Sequence, residues 1–298
     1  MLAHFDAFFA QVQPGPLGRR MCLWHAPAAR QPPALLVHVH AFGEEMNKSR
    51  RMAALHSRGL AEAGLAAVFQ MDLLGCGDSA GECDNATWND WVADVKAAVA
   101  MAQERAWLSW PNAAPPQTWL WGHRAGCLLA CQAATELPQE ALNLLFWQPV
   151  LRGKAVVQQM LRLDAAGALM GKTVASPGTD AKSLLAAGLA AEVAGYCLQP
   201  SLVRSLEAAR LDPPATARRL EWLDVAPQAA TLPSPAAATA IDRWRAASWA
   251  VRHHAVAGPA FWQTTEIEEA PALIAASFAA LQPLVPAGTF LQAEAASA

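Results

Sequence analysis

The chain lacks most of what would tie it to a charged partner or a metal. Only 16% of its 298 residues are Asp, Glu, Lys or Arg, and the formal net charge is −3 with a pI near 6.2. With no basic excess there is no electrostatic footprint for nucleic acid or for an anionic membrane surface. The six cysteines form no C-x-x-C and stand in no His-rich ligand spacing, so no metal and no cofactor is expected. Cys127 and Cys131, four apart on one helix face, read as core thiols. The N-terminal "MLAHFDAFFAQVQPG" has no basic n-region and is interrupted by Asp6, so no signal peptide is expected. The longest uncharged stretch, 270–292, is cut by Gln282, Pro283 and Pro286, short of the roughly 20 helical apolar residues that span a bilayer. A soluble, cytoplasmic protein is the expectation. What is present is 54% hydrophobic residues, enough to bury a sizeable core.

The order of elements can be read from periodicity and punctuation. "ALLVHVH" (34–40) reads as a buried strand and "GRRMCLWHA" (18–26) as an edge strand beside it. "NKSRRMAALHSRGLAEAG" reads as a helix capped by Asn47 and stopped by Gly64. Strand 65–72, a glycine-rich loop "LLGCGDSAGEC" and a long helix 85–108 follow. Then come strand 117–122, helix 124–136, strand 142–147, strand 219–225, helix 236–249, strand 251–258 and a last helix near 269–281. Alternation of strand and helix implies a mostly parallel sheet covered on both faces. The one long exception is 151–217, which reads as largely helical. Most of the twelve tryptophans, among them Trp88, Trp91, Trp119, Trp121, Trp147 and Trp222, sit on these elements and read as core.

One stretch carries the functional question. "QTWLWGHRAGCLLACQAA" (117–134) is an apolar run, a Gly-x-x-x-Gly turn and a helical stretch. That layout resembles the nucleophile elbow G-x-S-x-G of α/β hydrolases, but it reads Gly122-His123-Arg124-Ala125-Gly126. The element order over nearly the whole chain resembles the α/β-hydrolase fold. The resemblance implies a core of 1–150 and 218–298 with 151–217 as a helical lid. "HAFGEEMNKSRRM" (40–52) and "DLLGCGDSAGECDNATWNDWVADV" (72–95) look like the group called exosortase A system-associated hydrolase 2. That group is encoded beside bacterial exosortase/PEP-CTERM and exopolysaccharide loci. Its title follows the fold, and a fold does not establish chemistry.

The fold implies a nucleophile, an acid and a histidine in that chain order. The nucleophile position is Arg124, whose guanidinium has no lone pair available for attack. The loop expected to carry the acid, "APQAATLPSP" (226–235), has no carboxylate, and Asp224 lies within the preceding strand, where a structural role is expected. The loop expected to carry the histidine, "GPAFWQTTEIEE" (258–269), has Trp262 and Gln263 near that place. His253 and His254 come earlier, on a strand, and adjacent strand residues point to opposite faces. Cys127 should turn away from the elbow inside its helix, and neither Cys76 nor Ser79 has an identifiable histidine partner. His123 flanks the turn, either packed beside it or serving as a base for water.

A cation at a helix N-terminus faces the positive end of the helix dipole and calls for a negative partner. The neighbouring loop supplies Phe42, Glu44 and Glu45, so either glutamate plugs the cleft by pairing with Arg124, or Arg124 offers its fork to an anionic ligand. Lys48, Arg50 and Arg51 are possible further positive charges. In "GCGDSAGE", Asp78 and Glu82 are candidates for a cation or sugar hydroxyls, with Asp78 shaping the loop as the plainer reading. Three functional expectations follow. The first is a non-catalytic protein binding a small acyl, glycan or other anionic ligand, or a pathway partner. The second is an atypical hydrolase or acyltransferase of esters or thioesters that anchors its substrate on Arg124. The third is a scaffold that forms a homodimer through 151–217.

Overall fold

The computed structural model describes residues 3–282, apart from 29, 139, 170–179, 194, 217 and 229–231. The C-terminal part of the uncharged stretch 270–292 therefore lies outside the described residues. Eight strands form the main sheet: β1 (His4–Gln11), β2 (Arg19–Ala26), β3 (Ala34–Val39), β4 (Ala66–Met71), β5 (Gln117–His123), β6 (Asn143–Trp147), β9 (Arg219–Ala226) and β10 (Ala250–Ala257). Their order is β1-β2-β4-β3-β5-β6-β9-β10. From β4 to β10 the pairing is parallel, while β1 and β2 are antiparallel. This is the α/β-hydrolase fold.

The central strands are near-continuous apolar runs because both faces are covered, as parallel sheets require. One face packs on α2 (Trp88–Ser109), α3 (Gly126–Glu136) and α7 (Pro235–Ala246). The other packs on α1 (Glu44–Glu62) and α8 (Pro271–Leu281). The six tryptophans read as core are all buried. Among the described residues no helix is long and apolar enough to cross a membrane.

Three differences from the sequence reading have physical causes. β2 is not the edge: β1 pairs with it over its whole length and takes that place, its Phe5 and Phe9 left exposed. Asn47 caps nothing. Helix α1 begins four residues earlier than that cap implies, after Gly43 at φ 59°, and both Glu44 and Glu45 fall in its first turn, where carboxylates compensate the unpaired amides. The segment between β6 and β9 holds α4 (Gly153–Leu169), α5 (Ala181–Ala186) and α6 (Pro200–Ala208), but also a hairpin of β7 (Ala191–Val193) and β8 (Tyr196–Leu198). Strands of three residues are too short for a period-two pattern to show.

Candidate functional site

At the C-terminal end of β5 the chain turns abruptly into α3. Arg124 sits at the tip with φ 53°, a left-handed conformation that costs a non-glycine residue about 1–3 kcal/mol. The two flanking glycines explain how the turn closes. A Cβ on Gly122 would lie 2.7 Å from Cys127 Cα, and one on Gly126 would lie 2.1 Å from Val39 O. Only glycine lets the helix pack this closely against its own strand and against the end of β3.

Arg124 is closed in from three sides. Glu45, from the first turn of α1, takes the fork: Nε donates to Oε1 at 3.1 Å and to Oε2 at 3.3 Å, and Nη2 donates to Oε1 at 3.0 Å. Gln159 of α4 bridges the pair, accepting from Nη2 at 3.2 Å and donating to Glu45 Oε1 at 3.2 Å. The Trp262 ring lies 5.4 Å from the guanidinium carbon, within reach of a cation–π attraction. The two charged side chains are 13% and 14% exposed, so the pair is shielded from most solvent screening.

The other sequence candidates are distributed around this pair rather than gathered on it. Glu44 faces the hairpin, accepting from Tyr196 Oη at 3.5 Å, while Asn47 Nδ2 donates to the same hydroxyl at 2.8 Å. Phe42 packs on Trp91 and Tyr196, with ring centroids 5.0 and 6.2 Å away. It also lines, with Ala125, Gly126 and Leu206, a void of about 10 Å³ at the turn, room for about one water. Lys48 Nζ donates to the Thr264 carbonyl. Arg50 pairs with Asp72 at 2.9 Å and Arg51 with Glu269, so these two are engaged elsewhere. Ser79 staples its loop to β2, its Oγ accepting from Met21 N at 3.0 Å. Asp78 is exposed, and it is the Asp72 carboxylate that accepts from the Asp78 amide at 3.0 Å.

His123 is 2% exposed, stacked on Phe261 at 5.3 Å and edge-on to Trp262 and Trp147. Burial first, then the neighbouring Arg124 charge, hold its pKa well below the usual histidine range. It is neutral, and its Nε2 is buried without a partner. Burial likewise pushes the thiols of Cys127 and Cys76 well up, so both stay protonated and unreactive. Among the described residues no group of His, Cys, Asp and Glu could hold a metal ion.

The two strand histidines each find a carboxylate on β9. His253 Nε2 meets Asp224 Oδ2 at 2.9 Å on one face of the sheet, and His254 Nε2 meets Glu221 Oε2 at 2.6 Å on the other. Alternation predicts the opposite faces. The partners depend on the parallel register His253↔Trp222, which no local sequence signal gives away. Gln159 and Tyr196 were likewise not foreseen, because both belong to the inserted segment, whose packing is set by tertiary contacts.

A strand–turn–helix elbow at the C-terminal ends of a parallel sheet defines an α/β hydrolase. Residues 30–187, over half of the chain, match the family described as serine aminopeptidase, S33, and the chain belongs to that family. No curated protein matches it significantly. Among solved structures it is similar to Est1E from Butyrivibrio proteoclasticus bound to ferulic acid, with 16% identity, a TM-score of 0.55 and coverage of 94% of this chain and 96% of that one. It is similar to a putative hydrolase from Agrobacterium vitis S4 at 14% identity and TM-score 0.54, covering 95% and 100% of the two chains. A thermostable carboxyl esterase from Bacillus coagulans matches at 16% identity and TM-score 0.52, with 85% and 89% covered. At these identities the likeness is one of fold.

Proposed function

We propose that this protein binds an anionic ligand at its elbow instead of hydrolysing one there. The observation that carries the reading is Arg124 itself, at the turn's tip and forked onto Glu45. A guanidinium forms no acyl intermediate. The histidine's place holds Trp262, and the loop after β9 offers no carboxylate. Glu45 acts as an internal stand-in for the ligand, and a carboxylate or phosphate on an acyl or glycan molecule replaces it on the fork. The segment 151–217 serves as the lid, since Gln159 closes over the pair. The "EEMNKSRRM" string supports a role in the exosortase A/exopolysaccharide system of a bacterial cytoplasm, with a pathway protein or a second copy as partner.

Calorimetric titration with octanoyl-coenzyme A, octanoate and inorganic phosphate tests the reading. Arg124→Ala should weaken binding of the anionic probe about tenfold or more, by removal of a charged hydrogen-bonded pair. Glu45→Gln should tighten it, because the competitor is gone. Equal affinities in all three proteins, or ester turnover that Arg124→Ala abolishes, would overturn the proposal. The retained left-handed backbone at residue 124 is what keeps the second reading, an atypical hydrolase or acyltransferase anchored on Arg124, in view.

A further inference from the structure

On the other side of the sheet's C-terminal end, between β6, β9 and α7, lies a cavity of about 370 Å³ that the elbow does not use. Among the described residues, none of those lining it is a partner of Arg124. Its walls are mostly apolar, including Pro149, Leu151, Val225 and Leu232, and its polar groups are few: Asp224, His253, Gln148 and Ser234. A concave, mostly apolar space of this size with a few convergent polar groups is the usual form of a small-molecule site.

The polar groups are held, not loose. Trp222 Nε1 donates to Asp224 Oδ1 at 2.9 Å, which leaves Oδ2 for His253 Nε2 at 2.9 Å. With Nε2–H given to the carboxylate, the lone pair of the ring is on Nδ1, and that nitrogen is the one left to exchange a proton. Asp224 thus fixes both tautomer and orientation, the arrangement that makes an imidazole a base. Gln148 adds to the rigidity. Its backbone is left-handed at φ 44°, and its Oε1 accepts from Val225 N at 2.6 Å.

We propose that Asp224 and His253 form a general-base site that activates water against small neutral esters, independent of Arg124. Neutral substrates follow from the carboxylate in the wall, which repels anions. In the step, the water oxygen bonds to the ester carbonyl carbon while its proton passes to His253 Nδ1. The ester C–O bond then breaks, and the departing alkoxide takes that proton from His253. No covalent enzyme intermediate forms. His253 is the catalytic residue, and Asp224 positions it.

The test is hydrolysis of p-nitrophenyl acetate by the full chain, followed as p-nitrophenolate release. His253→Gln should lower the rate about 100-fold, the usual worth of a general base. Asp224→Asn should lower it too, with a shift in the pH profile, since the amide no longer fixes the tautomer. Ala255→Leu, which stands opposite Asp224 and fills the cavity beside the dyad, should cut the rate while leaving thermal unfolding unchanged. His254→Gln, on the opposite face, should leave the rate as it is. A solvent deuterium isotope effect above unity is expected. An unchanged rate in His253→Gln or Ala255→Leu, no hydrolysis above buffer, or an acetyl adduct detected on the protein by mass spectrometry would overturn the proposal. Each of these outcomes leaves the anion-binding reading of Arg124 untouched.

Discussion

Arg124 occupies a backbone conformation that disfavours any side chain with a Cβ, in front of helix amides that disfavour a cation. Two unfavourable terms at one residue need a compensating partner, and Glu45 with Gln159 supplies it. The compensation also explains why placing a serine at the elbow should not create a serine hydrolase. The ring beside the guanidinium is the indole of Trp262, which cannot take a proton from a hydroxyl as an imidazole can. The Asp224–His253 pair is committed to a different cavity. Arg124→Ser should therefore show no labelling by a fluorophosphonate probe above the level of the parent chain. Stoichiometric labelling at residue 124 would show that a base is within reach after all. The arginine at the tip was legible in the sequence, because the two glycines mark the turn and leave one residue there. The partner was legible only as a pair of candidates, Glu44 and Glu45. Choosing between them required knowing that α1 starts at Glu44, so that successive residues of one turn diverge around the helix.

Among the elements, the first turn of α1 is a polar fastening point for the inserted segment. Glu45 reaches Gln159 of α4, while Glu44 and Asn47 reach Tyr196 of β8. These polar contacts are partly exposed, and they add to the apolar ones that Val157, Val193, Leu202 and Leu206 make with the main core. Tyr196→Phe combined with Gln159→Ala should raise amide hydrogen exchange in α4 and the β7–β8 hairpin while leaving β3 to β6 unchanged. Uniform exchange across the chain would mean that apolar contacts alone hold the segment. Strands β3, β4, β5 and β6 were readable because both faces are buried and the apolar run is continuous. β1 was not, since its burial alternates at an exposed edge and Asp6 breaks its apolar face. The hairpin was hidden by its length.

Over the whole molecule, histidine burial sets the response to acid. His25, His38, His56 and His123 all have pKa values lowered chiefly by burial, His25 to about 4 and His56 to about 3. In the unfolded chain each returns to about 6.5, so below that pH the unfolded state binds more protons and stability falls as pH falls. One such group removes about 1.4 kcal/mol per pH unit inside its window, and groups whose windows overlap add to one another. Glu221 acts in the same direction: burial raises its pKa, but hydrogen bonds from His254, Arg252 and Arg219 outweigh that and leave it lowered. Asp94, raised mainly by burial despite Arg20, works against them. Against a total stability of about 5–15 kcal/mol, several such histidines protonating together on unfolding raise the pH at which acid unfolds the chain. His56 offers the cleanest test, because both ring nitrogens are buried without partners between Trp121 and Trp147. His56→Leu removes a proton site that only the unfolded chain can fill, and it buries no polar atom in exchange. Circular dichroism during acid titration should show its unfolding midpoint at lower pH than that of the parent. At pH 8, above the window, the two should differ much less in thermal stability. A midpoint that stays in place would mean that internal water already carries these imidazoles, and that their burial is not what governs the acid limit.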